Sequence, residues 1–208
     1  MEEQRKNDLA QFDNLIRMFE LKEKFLDAPQ GSICLNLGCG DDVIADPQWL
    51  NIDKYWEKPG IIKGDFISPE YEPSSIHRIL SSHSLEHAPI RQALQALLNW
   101  HMLLVPGGEL MLLIPDLEGI FFQLTSDNLN EDQLLWFRYT LFGFQARQDV
   151  PWQSREYNAP TNPGEFHTCG WTLKMITMDL ERSGYSITDK FRYNGFNTPS
   201  LCVMAKKE

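Results

Sequence analysis

No stretch of this chain approaches the ~20 consecutive apolar residues that a membrane-spanning helix needs, and the opening MEEQRKND carries no apolar secretory core. Positive charge is scarce as well. Lys and Arg total 19 against 29 Asp and Glu, a formal net charge of −10. That balance disfavours the clustered basic surface required by nucleic acid or an anionic membrane. Cysteine is sparse and unpatterned: Cys34, Cys39, Cys169 and Cys202 form no C-x-x-C pair, so reduced thiols are expected rather than disulfides or zinc, and no metal ligand is assigned. Internal repeats, low-complexity tracts and a second-domain linker are also missing. The expectation is a cytoplasmic protein with no nucleic-acid or membrane partner. What is present, 208 residues of which 42% are hydrophobic and 12% aromatic, suffices for one well-filled core and is short for two. A single domain over 1–208 follows.

From Gln4 to Leu26, apolar residues at Leu9, Phe12, Ile16, Phe19 and Leu26 recur at helical steps, giving an amphipathic helix within 1–30 that packs on the flank of the domain, lids the site or dimerises. Short apolar runs then predict strands at Ile33–Leu37, Trp49–Asp53, Ile61–Lys63, Ile76–Ser82 and Glu109–Pro115. Between the fourth and fifth, Pro89 opens a helix with a stripe at Ile90, Leu94, Leu97 and Leu104, closed by Pro106-Gly107-Gly108. An aromatic-rich segment, Asp116 to Cys169, breaks the rhythm, with one helix expected over Asp132–Leu141. Helical spacing returns over Thr172–Arg182, and Tyr185–Tyr193 and Pro199–Ala205 read as a closing strand pair. Strands alternating with helices predict an α/β fold: a Rossmann-like, doubly wound, seven-stranded and mostly parallel sheet. The seven include a C-terminal antiparallel strand, and an N-terminal helix and an inserted aromatic-rich segment accompany the sheet.

The first strand ends abruptly at Gly38-Cys39-Gly40, the second at Asp53, and the third runs into Gly64-Asp65-Phe66. Ligands of open α/β sheets bind beyond the carboxyl ends of the strands, and a carboxylate at the second strand end can accept from both hydroxyls of a ribose. A single acid there could be a solvated strand terminus; two at successive ends beside a glycine turn point to an adenosine cofactor. A nicotinamide or flavin dinucleotide is disfavoured, because its pyrophosphate needs a third glycine and a helix N-terminus, whereas Asp41 and Asp42 follow the turn and Val43 takes the third position.

The ordered segments LNLGCG, NID, G-D, LEH and PGG-to-PD resemble those of class I S-adenosylmethionine-dependent methyltransferases, in particular a subgroup of small bacterial enzymes. The resemblance runs from Ile33 to Asp116 and continues through FHTCGWTLKMITMDLERSGY. It implies a cofactor-binding core over 31–118, an acceptor lid or insertion over 119–169, and a C-terminal helix and strand pair over 170–208. Gly38, Cys39 and Gly40 would wrap the methionine end of S-adenosylmethionine, and Asp53 would hold the ribose. Asp65 and Phe66 would border the adenine, Ser82 and His83 would line the other side, and LEH would form the floor of the site. Two departures stand out: Asn36 occupies a position where many of these enzymes have an acid, and the short span between Gly40 and Asp53 implies that the usual intervening helix is truncated.

Methyl transfer from a sulfonium needs alignment and, for an oxygen or protonated nitrogen acceptor, a base. Of the five histidines, His77 and His101 fall inside a strand and a helix, where structural roles are expected. His87 and His167 are the catalytic candidates, with Glu86 orienting His87 or capping the helix. By resemblance the acceptor is a saccharide or other polar metabolite, and the chain would act alone or as a homodimer. The alternatives are a non-catalytic binding or scaffold protein that keeps the fold, and an NAD(P)-dependent oxidoreductase.

Overall fold

The computed structural model describes residues 2–125, 129–143, 166–195 and 198–208. Among them, seven strands form one sheet: β1 Cys34–Leu37, β2 Trp49–Asp53, β3 Ile61–Lys63, β4 Ile76–Ser82, β5 Leu104–Pro115, β6 Tyr185–Gly195 and β7 Thr198–Lys207. Their order is β3-β2-β1-β4-β5-β7-β6. The first five run parallel, and β7 is antiparallel to both neighbours. The strand order reverses between β1 and β4, which opens a crevice at their carboxyl ends.

The pleat sends alternate side chains to two separate cores. Leu35 and Leu37 of β1, Leu110, Leu112 and Ile114 of β5, and Leu201 and Val203 of β7 face one core, while Cys34, Met111, Leu113 and Cys202 face the other. The first core is covered by α2 (Ile90–Leu103) and α5 (Leu173–Arg182), which contribute Trp100, Ile176 and Leu180. The second is covered by α1 (Glu2–Leu26), through Met18 and Phe25.

Two helix faces differ from the sequence reading. On α1, Phe12, Ile16 and Phe19 are exposed while Met18 and Phe25 are buried, and Arg17, whose Nη2 donates to both Asp189 carboxylate oxygens and whose guanidinium lies over the Phe191 ring, ties the helix to β6. On α2 the buried stripe is Ala93, Ala96, Leu97, Trp100 and Leu103, with Ile90 exposed. Two alanines permit close approach to the sheet, so the packed side follows fit rather than maximum hydrophobicity. The helix also ends at Leu103, before Pro106-Gly107-Gly108, and β5 begins at once. Within the insertion, α3 (Leu117–Leu124) joins the expected helix, here α4 (Glu131–Phe142).

Trp100 anchors α2. It is fully buried, and its Nε1 donates to the Phe66 carbonyl at 2.7 Å, next to Asn99 Nδ2 donating to the Ile67 carbonyl at 2.9 Å. Trp100→Ala is expected to cost roughly 3–5 kcal/mol, as for other large-to-small core changes, and to free the Asp65–Ile67 segment. Urea denaturation measures the first effect; a loss below about 1 kcal/mol would contradict this packing assignment.

Candidate functional site

A cleft of about 190 Å³ lies at the reversal point of the sheet, lined by Gly38, Asp53, Asp65, Phe66, His83 and His87 among others. The first wall is the turn after β1. Gly38 and Gly40 hold φ of 66° and 54°, the left-handed region where a side chain is strained. A Cβ on Gly38 would stand 2.4 Å from Ser84 Cβ. The Gly38 and Cys39 amides donate to the Ile52 carbonyl at 2.8 and 3.2 Å, which stitches the turn to β2. Cys39 is buried, and burial first, then Asp53, pushes its thiol up to about 12. It is a packed neutral thiol outside the cleft lining.

Asp53 ends β2 and is almost fully buried. Its Oδ2 accepts from the Gly40 amide at 2.9 Å, and its Oδ1 accepts from Tyr55 and Trp56 amides at 2.8 and 3.0 Å. The expected ribose acceptor is thus also a clamp that fixes the glycine turn and the segment after β2. Asp65 is more open: Oδ1 accepts from the Ile67 amide at 3.0 Å, and Oδ2 pairs with Lys54 at 3.2 Å.

No helix forms between the glycine turn and β2. Two buried amides replace it: Asn36 Nδ2 donates to the Asp42 carbonyl at 2.8 Å and to Asn51 Oδ1 at 3.0 Å. Asn51 in turn accepts from the Ile44 amide and donates to the Ile44 carbonyl, both at 2.9 Å. Asn36, where an acid was the family expectation, therefore holds the shortened loop in place.

On the opposite wall, Ser84 lines the cleft, whereas Ser82 is not among the lining residues. Ser84 Oγ donates to the Leu37 carbonyl at 3.0 Å and lies 2.7 Å from Ser81 Oγ. His83 adopts φ 50°, a strained value for a histidine, with Nδ1 3.4 Å from Glu86 Oε1. Tyr55, Trp56 and Gln92 also line the cleft and were missed by sequence reasoning. Only the tightness of the Asp53–Trp56 turn brings the two aromatics to it.

The floor is a single 3-10 turn, Leu85–His87. The chain returning from the insertion docks on it: Thr168 and Cys169 amides donate to the Glu86 carbonyl at 2.8 and 3.3 Å, and Cys169 Sγ lies 3.0 Å from the Ala88 carbonyl. His167 is thereby brought against His87, with ring centroids 4.8 Å apart and edge-on. His87 Nδ1 is 3.1 Å from the Phe166 carbonyl and His167 Nδ1 is 2.7 Å from the Thr140 carbonyl. A carbonyl only accepts, so each Nδ1 carries the proton in these bonds, and in the neutral imidazole Nε2 is left with the lone pair. Burial pulls His167 below the usual imidazole range, against an upward pull from Glu86.

Glu86 is 1% exposed, and among the described residues neither of its carboxylate oxygens has a hydrogen-bond partner. Burial pushes its pKa up, but His83 first and then His87 and His167 pull it down further, to about 2. Sequence reasoning gave Glu86 an orienting or capping role; the structure instead buries it beneath both catalytic candidates. His77 and His101 have the structural partners expected of them: His77 Nδ1 accepts from the Ile33 amide, and His101 Nε2 lies 3.1 Å from the Gly184 carbonyl. Trp152 and Tyr157, within the segment expected to form an acceptor lid or insertion, lie outside the described residues.

No family model matches the sequence, and no curated protein does. Solved structures do. The chain is similar to a SAM-dependent methyltransferase from Methanosarcina mazei, at 15% identity over 86% of this chain and 94% of that one, with TM-score 0.60. It is also similar to the 1,6-didemethyltoxoflavin-N1-methyltransferase of Burkholderia thailandensis, solved with S-adenosylhomocysteine and 1,6-didemethyltoxoflavin (13% identity, 85% and 71% covered, TM-score 0.52). A third is the cyclase SpnF (10% identity, 92% and 80% covered, TM-score 0.56).

Proposed function

We propose that this chain, whose fold is that of the class I S-adenosylmethionine-dependent methyltransferases, transfers a methyl group from S-adenosylmethionine to a small polar acceptor. One observation carries the reading: the glycine turn, both strand-end acids and two histidines meet in a single cleft at the point where the strand order reverses. An adenosine with a cationic sulfonium suits a cleft walled by Asp53 and Asp65, and a pyrophosphate does not. Gly38 would let backbone approach the methionine end, with Cys39 and Gly40 shaping the turn. Asp53 would take the ribose through the lone pairs left after its backbone bonds. Asp65 and Phe66 would border the adenine, and His83 with Ser84 would close the other side.

The acceptor end is assigned to His87 and His167, whose two imidazole lone pairs beside the Glu86 carboxylate could activate an acceptor hydroxyl or amine. The insertion over 119–169 returns to this point, and it is proposed to supply the acceptor walls. A saccharide or comparable polar metabolite is the acceptor class that the motif resemblance supports.

Titration calorimetry with S-adenosylhomocysteine, on folded protein freed of copurified ligand, tests the reading. Binding in the micromolar range is expected, with NAD(P) silent. Absence of heat at millimolar ligand would overturn it. The fold is also that of a cyclase, so it does not by itself fix the reaction, and the second reading is a protein that binds the cofactor without methyl transfer. Turnover of S-adenosylmethionine across an acceptor panel separates the two.

A further inference from the structure

We propose that Glu86, His87 and His167 together hold a divalent transition-metal cation at the floor of the cleft. One carboxylate oxygen and one ring nitrogen from each histidine lie within 4.8 Å of one another. Metal bonds from such groups are about 2.0–2.2 Å, so the three side chains must draw together by roughly an ångström to grip an ion. Glu86 supplies the independent reason to place one there. It is 1% exposed, and its oxygens have no hydrogen-bond partner among the described residues. Among the described residues the nearest basic atom, His83 Nδ1, stands off at 3.4 Å. A buried carboxylate left so is costly unless a cation completes it.

The histidines are prepared in the way metal ligands are. Each gives its Nδ1 proton to a backbone carbonyl, Phe166 for His87 and Thr140 for His167. This fixes the tautomer and the ring, and it raises the basicity of Nε2. The two halves of the site, far apart in sequence, are locked together by the Thr168 and Cys169 amides on the Glu86 carbonyl. The two segments that carry the ligands are therefore held side by side before an ion arrives, and only the side chains need to close on it.

Two nitrogens and one oxygen select the cation class. Magnesium and calcium prefer all-oxygen shells, whereas zinc, cobalt, iron and manganese accept mixed imidazole and carboxylate donors. Three protein ligands leave coordination positions open. Because His87 also lines the cleft, an acceptor oxygen could take one of them and lose its proton more readily to solvent water. This catalytic use rests on the methyl-transfer reading; the binding of the ion does not.

The test uses full-length protein stripped with a chelator and dialysed, titrated with Zn²⁺ by calorimetry and with Co²⁺ by visible absorption. One equivalent should bind with micromolar or tighter affinity, Co²⁺ should give the d–d bands of a nitrogen–oxygen site, and Mg²⁺ should bind at least about a hundredfold more weakly. Glu86→Gln and His167→Gln should each weaken Zn²⁺ at least about tenfold, while His101→Gln, remote from the floor, should not. Far-UV circular dichroism confirms which variants are folded, and either of the two site variants suffices. Less than about a tenth of an equivalent bound by the parent, or undiminished binding in a folded site variant, overturns the proposal. Titrating S-adenosylhomocysteine into the same samples keeps the two claims apart. Metal without cofactor binding defeats only the methyl-transfer reading, and cofactor without metal binding defeats only this one.

Discussion

Gly38→Ala is expected to lose at least tenfold in S-adenosylhomocysteine affinity and to lower the melting temperature by on the order of 10 °C. Two costs add at this position. An alanine at φ 66° is strained by roughly 1–2 kcal/mol. Its Cβ would also stand 2.4 Å from Ser84 Cβ and 2.9 Å from Ser84 Oγ. Ser84 cannot yield easily, because it is buried and its hydroxyl holds the Leu37 carbonyl and meets Ser81. Overpacking of this kind adds roughly 1–3 kcal/mol, and any relief moves a wall of the cleft. Gly107→Ala is the control. Its φ is 76° with nothing within 4 Å of the added Cβ, so it should show the backbone cost alone and leave ligand affinity unchanged. Equal effects in the two variants would remove the steric argument.

Asp53→Ala should weaken S-adenosylhomocysteine more than tenfold and also destabilise the protein by about 2–4 kcal/mol, since hydrogen bonds to a charged acceptor contribute roughly 1.5–3 kcal/mol each and water replaces part of them. The stability loss arises because the Gly40, Tyr55 and Trp56 amides all lose their acceptor. The two measurements report different things: chemical denaturation follows the clamp, and calorimetry at a temperature where the variant is folded follows the ribose contact. A destabilised variant with undiminished affinity would leave Asp53 as a clamp and remove it from the ribose.

Strand identity and order along the chain were legible because short apolar runs between turn residues have few other stable uses. Trp49–Asp53, Ile61–Lys63 and Ile76–Ser82 form at their expected bounds. The glycine turn and Asp53 were legible for a related reason: both are adjacent in sequence to the strand ends that carry them. Helix faces were less so. Hydrophobic periodicity puts Phe12, Ile16 and Phe19 on a face of α1, yet the sheet takes the Met18 and Phe25 side. Which side packs depends on the shape of the partner surface, and that surface is assembled from strands distant in the chain.

The sequence by itself determined the α/β alternation, the glycine turn between a strand and its ligand crevice, and the two acids at successive strand ends. All of these are local patterns imposed by backbone chemistry. Only the tertiary structure decided that Ser84 rather than Ser82 lines the cleft, that Asn36 and Asn51 stand in for a missing helix, and that Glu86 is buried beside His87 and His167 with no hydrogen-bond partner among the described residues. No spacing announces those arrangements, because each depends on hydrogen bonds and burial between segments that the chain brings together only when the sheet has closed.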